Sequence, residues 1–327
     1  MHAFTTSRRI FLERAAIASA ALITAGLPAA TSAQTPAPLI RIGAGPDDTS
    51  LPVIYAAGAG LFQKAGLNVE LEKLAGAAVV AAALAGGSLE IGKASALSVV
   101  TAHAKGLPFT VIGAIATYDS TSPDFGLIVM ADSPIKTAQD LPGKTLAAVS
   151  LQDMSTVATY AWLDQRGVDA TSLHFLEMPA AATLAAMEQG RVAGSTIYEP
   201  MLSAAMSTGK VRIIGRPYDA IGKHFSGGLL IANVDWVKQN PDLVARFLHV
   251  MHDAGTYVAA HENDVMPMLA AYAGVDPASI IKSNHEGRAV EISAADLQPV
   301  IDAAAKYHVI PKAFPASELI CSCALHH

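Results

Sequence analysis

Residues 39–95 read LIRIGAGPDDTSLPVIYAAGAGLFQKAGLNVELEKLAGAAVVAAALAGGSLEIGKAS. Three short apolar runs in this stretch are typical of strands, at 40–44, 68–74 and 89–95. Two segments between them are typical of helices, at 51–65 and 76–85. Each helix follows a polar or small-residue turn, and Gly66 and Gly87 are expected to end them. The stretch therefore predicts the order strand, helix, strand, helix, strand.

The same order of elements recurs 101 to 103 residues further along the chain. Strands are expected there at 145–149, 173–178 and 192–198, and helices at 156–165 and 179–190. Gly167 corresponds to Gly66, and Gly190 corresponds to Gly87. Such units form parallel sheets that are covered by helices, with right-handed crossovers. The repeat therefore predicts an α/β protein with two similar lobes, each a mostly parallel sheet flanked by helices.

The chain is expected to cross between the two lobes twice. The first crossing is expected near the turn-rich residues 120–123, and the return near residues 225–228. This division assigns residues 34–121 and 226–327 to lobe 1 and residues 122–225 to lobe 2. Two crossings make a hinge rather than a loose linker.

The first 33 residues have the features of an export signal. Arg8 and Arg9 precede the uncharged apolar stretch 15–27, and small residues lead to Ala33. The arginine pair followed by Ile-Phe-Leu resembles a twin-arginine signal. The apolar stretch has 13 residues, too few for a membrane anchor, which needs about 20. We therefore expect residues 1–33 to direct export to the periplasm by the twin-arginine route.

Composition and charge exclude several classes of protein. The 327 residues are 52% hydrophobic and 15% charged, which excludes a disordered chain. The formal net charge of −6 and the lack of an obvious basic face argue against a nucleic-acid partner. Cys321 and Cys323 are the only cysteines, and the single residue between them leaves little room for good disulfide geometry. No disulfide framework is therefore expected.

The loops after the predicted strands hold the candidate ligand-binding residues. Ligands of open parallel sheets bind outside the carboxyl ends of the strands. Several of these loops also begin helices, whose backbone N–H groups and dipoles attract anions. The candidates in lobe 1 are Asp48, Thr49, Gly76, Ala77, Ser95 and Tyr118. The candidates in lobe 2 are Ser155, Thr156, Tyr198 and Glu199. If the lobes face each other, these loops line one cleft.

A series of short motifs runs through nearly the whole chain after residue 33. They are GLFQKAGL at 60–67, the segment 82–96, SPIK at 133–136, DLPGK at 140–144, the segment 185–190, YEP at 198–200 and the segment 236–248. Their order and spacing resemble the substrate-binding proteins of ABC importers for sulfonates, nitrate and taurine, a group similar to the thiamine-pyrimidine synthesis proteins of fungi. The resemblance implies a two-lobed periplasmic-binding-protein fold of type II, ligand capture by closure of the lobes, and an ABC permease of the inner membrane as partner.

The resemblance also implies the class of ligand. It implies a small organic anion or zwitterion, and it places ligand contacts on Asp48, Gly76, Ala77, Ser95, Ser155 and Glu199. The chain departs from this expectation because no arginine lies in the lobe 1 loops, and the nearest basic candidates are Lys93 and Arg216. Acidic residues in the loops could instead favour a ligand with an amine or ring N–H, such as a thiamine-pyrimidine precursor or an aromatic compound.

Two rival chemistries remain open at this point. An enzyme on the same fold would need a nucleophile, but both cysteines lie in the last seven residues, and no residue is assigned a catalytic role. Metal binding could use His249 with His252, or the C-terminal residues Cys321, Cys323, His326 and His327. We expect neither site to be a metal centre, and we expect a monomeric binding protein without a cofactor.

Overall fold

The computed structural model describes residues 38–74, 76–199, 201–274 and 291–324, so the predicted signal at residues 1–33 lies outside the described residues. Ten strands are found there: β1 Leu39–Ala44, β2 Asn68–Lys73, β3 Ile91–Ser95, β4 Phe109–Asp119, β5 Phe125–Met130, β6 Thr145–Ala148, β7 His174–Glu177, β8 Gly194–Tyr198, β9 Val211–Gly215 and β10 His224–Asn233. The helices are α1 Leu51–Gly58, α2 Leu61–Lys64, α3 Ala77–Ala85, α4 Ala96–Ala104, α5 Met154–Asp164, α6 Thr183–Glu188, α7 Met201–Ser207, α8 Val234–Gln239, α9 Pro241–Ala260, α10 Glu262–Ala273 and α11 Ala294–Lys306.

The strands form two five-stranded sheets with the same internal plan. Sheet I has the order β2-β1-β3-β10-β4, and sheet II has the order β7-β6-β8-β5-β9. In each sheet the first three strands are parallel, and the fourth is antiparallel to both of its neighbours. Four strands of each sheet therefore run in one direction, as expected from the sequence, but one reversed strand makes both sheets mixed.

The reversed strand of each sheet directly follows a crossing of the chain from the other sheet. The chain leaves β4 of sheet I and enters sheet II as β5, and it leaves β9 of sheet II and enters sheet I as β10. The two crossings run side by side, because His224 at the start of β10 pairs with Asp119 at the end of β4. The exact lobe boundaries predicted from the sequence stay a prediction.

Four glycines that were predicted to end helices have the expected backbone conformation. Gly66 and Gly167 have φ values of 69° and 68°, and Gly87 and Gly190 have 69° and 70°, which are left-handed conformations typical of glycine after a helix. The helix predicted at 51–65 is wrong as a single element, because Gly60 also has a positive φ of 69° and separates α1 from α2.

The strands β5, β9 and β10 were not predicted from the sequence. All three lie around the two crossings, and their partners are distant in sequence. Both sheets carry helices packed on a buried core, and the strands β4 and β5 are almost fully buried. Near-continuous apolar runs are the pattern expected of such strands.

One apolar cluster contains residues of both halves of the chain. Val157 and Ala158 of α5 share it with Val300 and Ile301 of α11. Asp164, at the end of α5, accepts a hydrogen bond from the Tyr307 hydroxyl at 3.1 Å and forms an ion pair with Lys306. Helix α11 therefore ties the C-terminal region to lobe 2 as well as to sheet I.

The expectation about the two cysteines is wrong. Cys321 and Cys323 are joined by a disulfide, with their Cα atoms 5.1 Å apart. The short 3₁₀ turn Ser322–Ala324 folds the chain back, which brings the Cα atoms within the usual range for a disulfide. Separately, none of the helices in the described part of the chain is long and apolar enough to cross a membrane.

Candidate functional site

A cavity of about 310 Å³ lies where the carboxyl ends of the central strands meet. Its walls on the side of sheet I include Asp47, Thr49, Lys93 and Ser95, and its walls on the other side include Asp124, Tyr198 and Glu199. Ala94, Ile115, Ala116 and the β10 residues Gly227 and Gly228 also line it. We call this space the first cavity. Residues from both sheets form it, so a movement of one lobe relative to the other would change its size.

The Lys93 ammonium is held by two side chains of the loop after β1. It forms an ion pair with the Asp47 carboxylate, and its Nζ lies 2.6 Å from Thr49 Oγ1. The Thr49 hydroxyl in turn donates to Asp47 Oδ1 at 2.6 Å. The Lys93 side chain is only 17% exposed. This small network fixes a positive charge at the wall of the first cavity and neutralises it in part.

Ser95 ends β3 and begins α4. Its Oγ accepts a hydrogen bond from the backbone N–H of Ser98 at 3.3 Å, which makes it the N-cap of the helix. Its hydroxyl also donates to Ser98 Oγ at 2.8 Å. The positive end of the α4 dipole therefore meets the first cavity beside a hydroxyl pair, an arrangement that favours a negatively charged group.

Glu199 lies just after β8, on the opposite wall. Its two carboxylate oxygens accept hydrogen bonds from Ser203, one from the backbone N–H at 3.0 Å and one from the hydroxyl at 2.8 Å. Its own backbone N–H donates to the carbonyl of Asp124 at 3.0 Å. The Glu199 carboxylate therefore caps the first turn of α7, and the residue also lines the first cavity.

Asp124 is an almost fully buried carboxylate in this wall. Only 3% of the residue is exposed, and it sits on the first crossing, one residue before β5. Arg216 lies nearby, because its guanidinium donates to the carbonyls of Pro123 at 3.4 Å and Phe125 at 3.1 Å. Arg216 therefore holds the crossing in place through backbone contacts, and it is not part of the first-cavity lining.

Aromatic rings pack behind the first cavity at the crossings. Phe125 and Tyr218 stack with ring centroids 3.8 Å apart, and Tyr118 packs against both Tyr218 and Phe225. The Tyr118 hydroxyl donates to Asp219 at 2.8 Å. Burial and the neighbouring Asp219 carboxylate raise the pKa of Tyr118 well above its usual value. Tyr118 is therefore a neutral hydrogen-bond donor inside the hinge.

A second cavity of about 490 Å³ adjoins the first. It lies between α3 and α4 over the face of sheet I, and Ala94 lines both cavities. Ser150 and Gln152, from the loop that follows β6, reach its wall from lobe 2. This second cavity thus also combines residues from both halves of the chain.

The structure brings together four of the predicted ligand residues: Thr49, Ser95, Tyr198 and Glu199 line the first cavity. Gly76 is exposed at the start of α3, beside Ala78 of the second cavity. The side chains of Asp48 and Ala77 lie outside what the structure describes.

Three other predicted residues lie outside both linings. Tyr118, Ser155 and Thr156 are 2%, 5% and 2% exposed, respectively. Ser155 and Thr156 belong to the first turn of α5 rather than to a loop before it. The Thr156 hydroxyl donates to the carbonyl of Ser150 at 3.1 Å, so it supports the loop that carries Gln152. A ligand role for these residues stays a prediction.

Sequence reasoning missed Asp124 and the pair Gly227-Gly228. The signal that could have found them is their place at the two crossings, since both crossings were predicted. A side chain at position 228 would place its Cβ 3.0 Å from the Ala116 side chain, so glycine leaves the strands close together at the cavity wall.

The candidate metal residues do not come together in the described residues. His249 lies 3.8 Å from Asp253, whereas His252 lies 4.0 Å from Glu291. No group of three potential metal ligands is found among the residues that the structure describes. His326 and His327 lie outside them.

Residues 48–265 match the family model described as NMT1/THI5 like. The chain belongs to the NMT1/THI5-like family. Because this match covers more than half of the chain, it confirms the family resemblance drawn from the motifs. It includes strands of both sheets and runs from the loop after β1 into α10.

Known proteins show the same fold as this NMT1/THI5-like chain. The periplasmic aliphatic sulphonate binding protein SsuA from Escherichia coli has a TM-score of 0.73 at 21% identity, over 88% of this chain and 94% of that one. The alkanesulfonate-binding protein SsuA from Xanthomonas axonopodis pv. citri, bound to MOPS, has a TM-score of 0.69 at 19% identity, over 87% and 99%. These likenesses confirm the two-lobed periplasmic-binding-protein fold.

A curated relative of this NMT1/THI5-like chain is the aliphatic sulfonates-binding protein of Escherichia coli (strain K12). It is 26% identical over 198 residues, which cover 60% of this chain. The aligned region spans 59% of the length of that relative.

Proposed function

We propose that this chain is the periplasmic solute-binding component of an ABC importer and that it captures a small organic anion or zwitterion, of sulfonate, taurine or nitrate type, by closure of its lobes. The observation that carries the proposal is the first cavity, whose walls come from both sheets and from both crossings. A site of that kind opens and closes with the hinge, which suits capture and release. The relatives reported above are named as sulfonate-binding proteins, which supports the same class of ligand.

The charges of the first cavity suit a ligand that carries both a positive and a negative group. Lys93 and the N-terminus of α4 offer positive potential to an acidic group. Asp124 and Glu199 offer carboxylates to an amine on the other wall. A zwitterion could use both walls, and each wall would bind more tightly as the lobes close.

A second candidate is a thiamine-pyrimidine precursor or another aromatic ligand with N–H donors. The acidic side chains favour it, since Asp47, Asp124 and Glu199 line the same cavity as Lys93. Tyr198 also lines the cavity and could stack on a ring.

Binding rather than catalysis is the activity we propose. The relatives above are named as binding proteins. A thiol nucleophile has no place at this site, because Cys321 and Cys323 are joined to each other and neither lines the first or the second cavity. An enzyme on the same fold is the less favoured alternative.

The partners and the location belong to the same proposal. The captured ligand would pass to an ABC permease in the inner membrane, and the binding protein would act as a monomer. Arg8 and Arg9 would direct export to the periplasm by the twin-arginine route. Neither a cofactor nor a nucleic acid takes part.

Mass spectrometry of the released ligand tests this proposal directly. The protein is purified from periplasmic extract without denaturation, and the bound compound is then released by unfolding. We expect a compound with a sulfonate or other acidic group, with or without an amine, that is recovered unchanged after rebinding to the stripped protein. A released aromatic amine without an acidic group would favour the second candidate. Conversion of the rebound compound into a product would contradict the binding proposal.

A further inference from the structure

His224 lies at the point where the chain returns to sheet I on its second crossing. It is the first residue of β10, and it pairs in the sheet with Asp119, the last residue of β4, where the first crossing begins. The backbone N–H of Ser120 on the first crossing donates to the carbonyl of Lys223 on the second at 2.9 Å. The two crossings are therefore bonded to each other beside sheet I, and His224 lies at this junction.

The imidazole ring of His224 lies between two carboxylates that belong to different elements. Its Nδ1 is 3.8 Å from Oδ2 of Asp119 in β4, and its Nε2 is 3.8 Å from Oδ1 of Asp296 in the first turn of α11. These separations are ion-pair distances and are longer than direct hydrogen bonds. Each ring nitrogen thus faces a different carboxylate, and the ring connects the end of β4, the start of β10 and the start of α11.

Both carboxylates are oriented by hydrogen bonds within their own segment of the chain. Oδ1 of Asp119 accepts from the backbone N–H of Thr121 at 2.8 Å and from its hydroxyl at 2.6 Å. Oδ2 of Asp296 accepts from the backbone N–H of Ser293 at 3.1 Å and from its hydroxyl at 2.6 Å, in the capping box that begins α11. In each aspartate these bonds use one oxygen, and the other oxygen is the one nearest to His224. The hydrogen bonds from Thr121 lower the pKa of Asp119, which favours its charged form.

A neutral imidazole cannot serve both carboxylates. It carries one N–H, so its other nitrogen presents a lone pair to a carboxylate oxygen, whereas the protonated ring has a donor on each nitrogen and a positive charge. The side chains are 55% exposed for His224, 47% for Asp119 and 28% for Asp296, so solvent and salt screen each ion pair. Protonation therefore strengthens both contacts, each by a modest amount, in the pH range in which histidine titrates.

Two further charged groups lie near the junction and are paired with each other. The Lys223 ammonium is 2.9 Å from Oδ2 of Asp219, and Oδ1 of Asp219 accepts the hydrogen bond from the Tyr118 hydroxyl at 2.8 Å. Among the side-chain types found here, only histidine ordinarily changes its charge between about pH 5 and 8. The change of charge at the junction over this range therefore comes from His224.

We propose that His224 is a proton-sensitive clamp, which with Asp119 and Asp296 holds the two crossings in the arrangement of this structure when the imidazole is protonated. In this arrangement walls from both sheets line the first cavity, so the clamp favours the state in which both walls contact a ligand. A fall in pH therefore tightens ligand binding, and bound ligand in turn favours uptake of the proton. The effect on binding rests on the proposed function, whereas the clamp itself does not.

Thermal unfolding of the ligand-free protein at about pH 8 and about pH 5.5 tests the clamp without a ligand. The melting temperatures of the wild type and of His224→Gln are compared at each pH, so groups that titrate in both proteins cancel. The folded state favours the protonated imidazole, so the stabilisation is present at the lower pH and is lost as the pH rises. On going to the lower pH, the wild type should gain about 1–4 °C relative to His224→Gln, and about 1 M salt should reduce this gain.

Asp296→Asn tests whether the second carboxylate belongs to the clamp. The amide keeps the shape of the side chain and removes its charge, so this variant should lose part of the pH-dependent gain even if its capping box is weakened at both pH values. Equal pH-dependent changes of melting temperature in the wild type and in His224→Gln would overturn the clamp.

Calorimetric titration with taurine at the same two pH values tests the effect on binding. The increase in affinity from the higher to the lower pH should be about two- to fivefold larger in the wild type than in His224→Gln. His249→Gln is the matched control, because His249 also lies 3.8 Å from an aspartate, Asp253, but within the single helix α9. It should keep the wild-type ratio of affinities.

The outcomes separate the clamp from the proposed function. Equal affinity ratios in the wild type and in His224→Gln would overturn the effect of the clamp on binding, even if the melting temperatures differ as expected. Failure of taurine to bind at either pH would contradict the proposed class of ligand, and the effect on binding with it, while the melting temperatures would still decide the clamp.

Discussion

At the scale of single residues, the charged groups of the first cavity are held by partners within the chain. Lys93 is oriented by Asp47 and Thr49, and Glu199 is oriented by Ser203. Groups that are fixed before the ligand arrives lose little conformational freedom on binding. The same contacts mean that each charge has a structural role, so its contribution to binding must be separated from its contribution to stability.

Glu199→Gln separates binding from stability for Glu199, a residue that lines the first cavity and caps α7. The substitution removes the negative charge and leaves an amide oxygen that can accept a hydrogen bond from Ser203. If Glu199 binds the ligand through a charge-assisted hydrogen bond, affinity for the released ligand should fall about ten- to hundredfold, which corresponds to roughly 1.5–3 kcal/mol. Calorimetry on the wild type and the variant measures this change.

Ser203→Ala is the control for that experiment. It removes the hydroxyl that donates to Glu199 Oε1 and keeps the carboxylate. We expect a lower melting temperature and an affinity close to that of the wild type. A Glu199→Gln variant with unchanged affinity and a lowered melting temperature would show that Glu199 serves only as a helix cap.

The sequence could predict those site residues that directly follow a strand. Ser95 and Tyr198 end corresponding strands of the two copies, and the apolar runs before them are readable. The pairing of Lys93 with Asp47 could not be predicted, because 46 residues separate them and only the sheet brings them together. Asp124 was missed because it follows no predicted strand, although it directly follows the crossing predicted at residues 120–123.

At the scale of elements, the strands of each repeated unit pair with strands that are close in sequence, whereas the reversed strands pair with strands that are more distant in sequence. The strands and helices of each unit lie within about sixty residues of one another, so apolar periodicity and glycine positions predict them. The strand β10 pairs with β3 and β4, which lie more than one hundred residues earlier. No local pattern specifies such a partner, so the sequence predicted the parallel units and missed the strand inserted into each.

Packing of α3 on β3 gives a prediction at this scale. A Cβ at Gly92 would clash with Val80 and lie 3.0 Å from Leu84 Cδ1. Gly92→Ala should therefore destabilise the protein by about 1–3 kcal/mol, as overpacked cores do. Urea unfolding measures the change.

The double variant with Val80→Ala provides the control for Gly92→Ala. Removing the Val80 methyl groups relieves the clash, so the two substitutions together should cost less than the sum of their separate effects. Strictly additive losses would contradict the packing of α3 on β3 described here.

At the scale of the whole molecule, two similar sheets are joined by two chain crossings that run side by side. The aromatic cluster of Tyr118, Phe125 and Tyr218 packs around these crossings, and the first cavity lies next to it. A hinge of this kind allows one lobe to rotate on the other with small changes in a few residues. The proposed capture of the ligand depends on this closure of the lobes.

Small-angle X-ray scattering of the stripped protein, with and without the ligand released in mass spectrometry, tests that claim most directly. Because the ligand contacts walls from both sheets, saturation should close the lobes and give a smaller radius of gyration than the stripped protein has. A compound that calorimetry shows not to bind serves as the control and should leave the scattering unchanged. An identical radius of gyration for the stripped and the saturated protein would contradict capture by lobe closure.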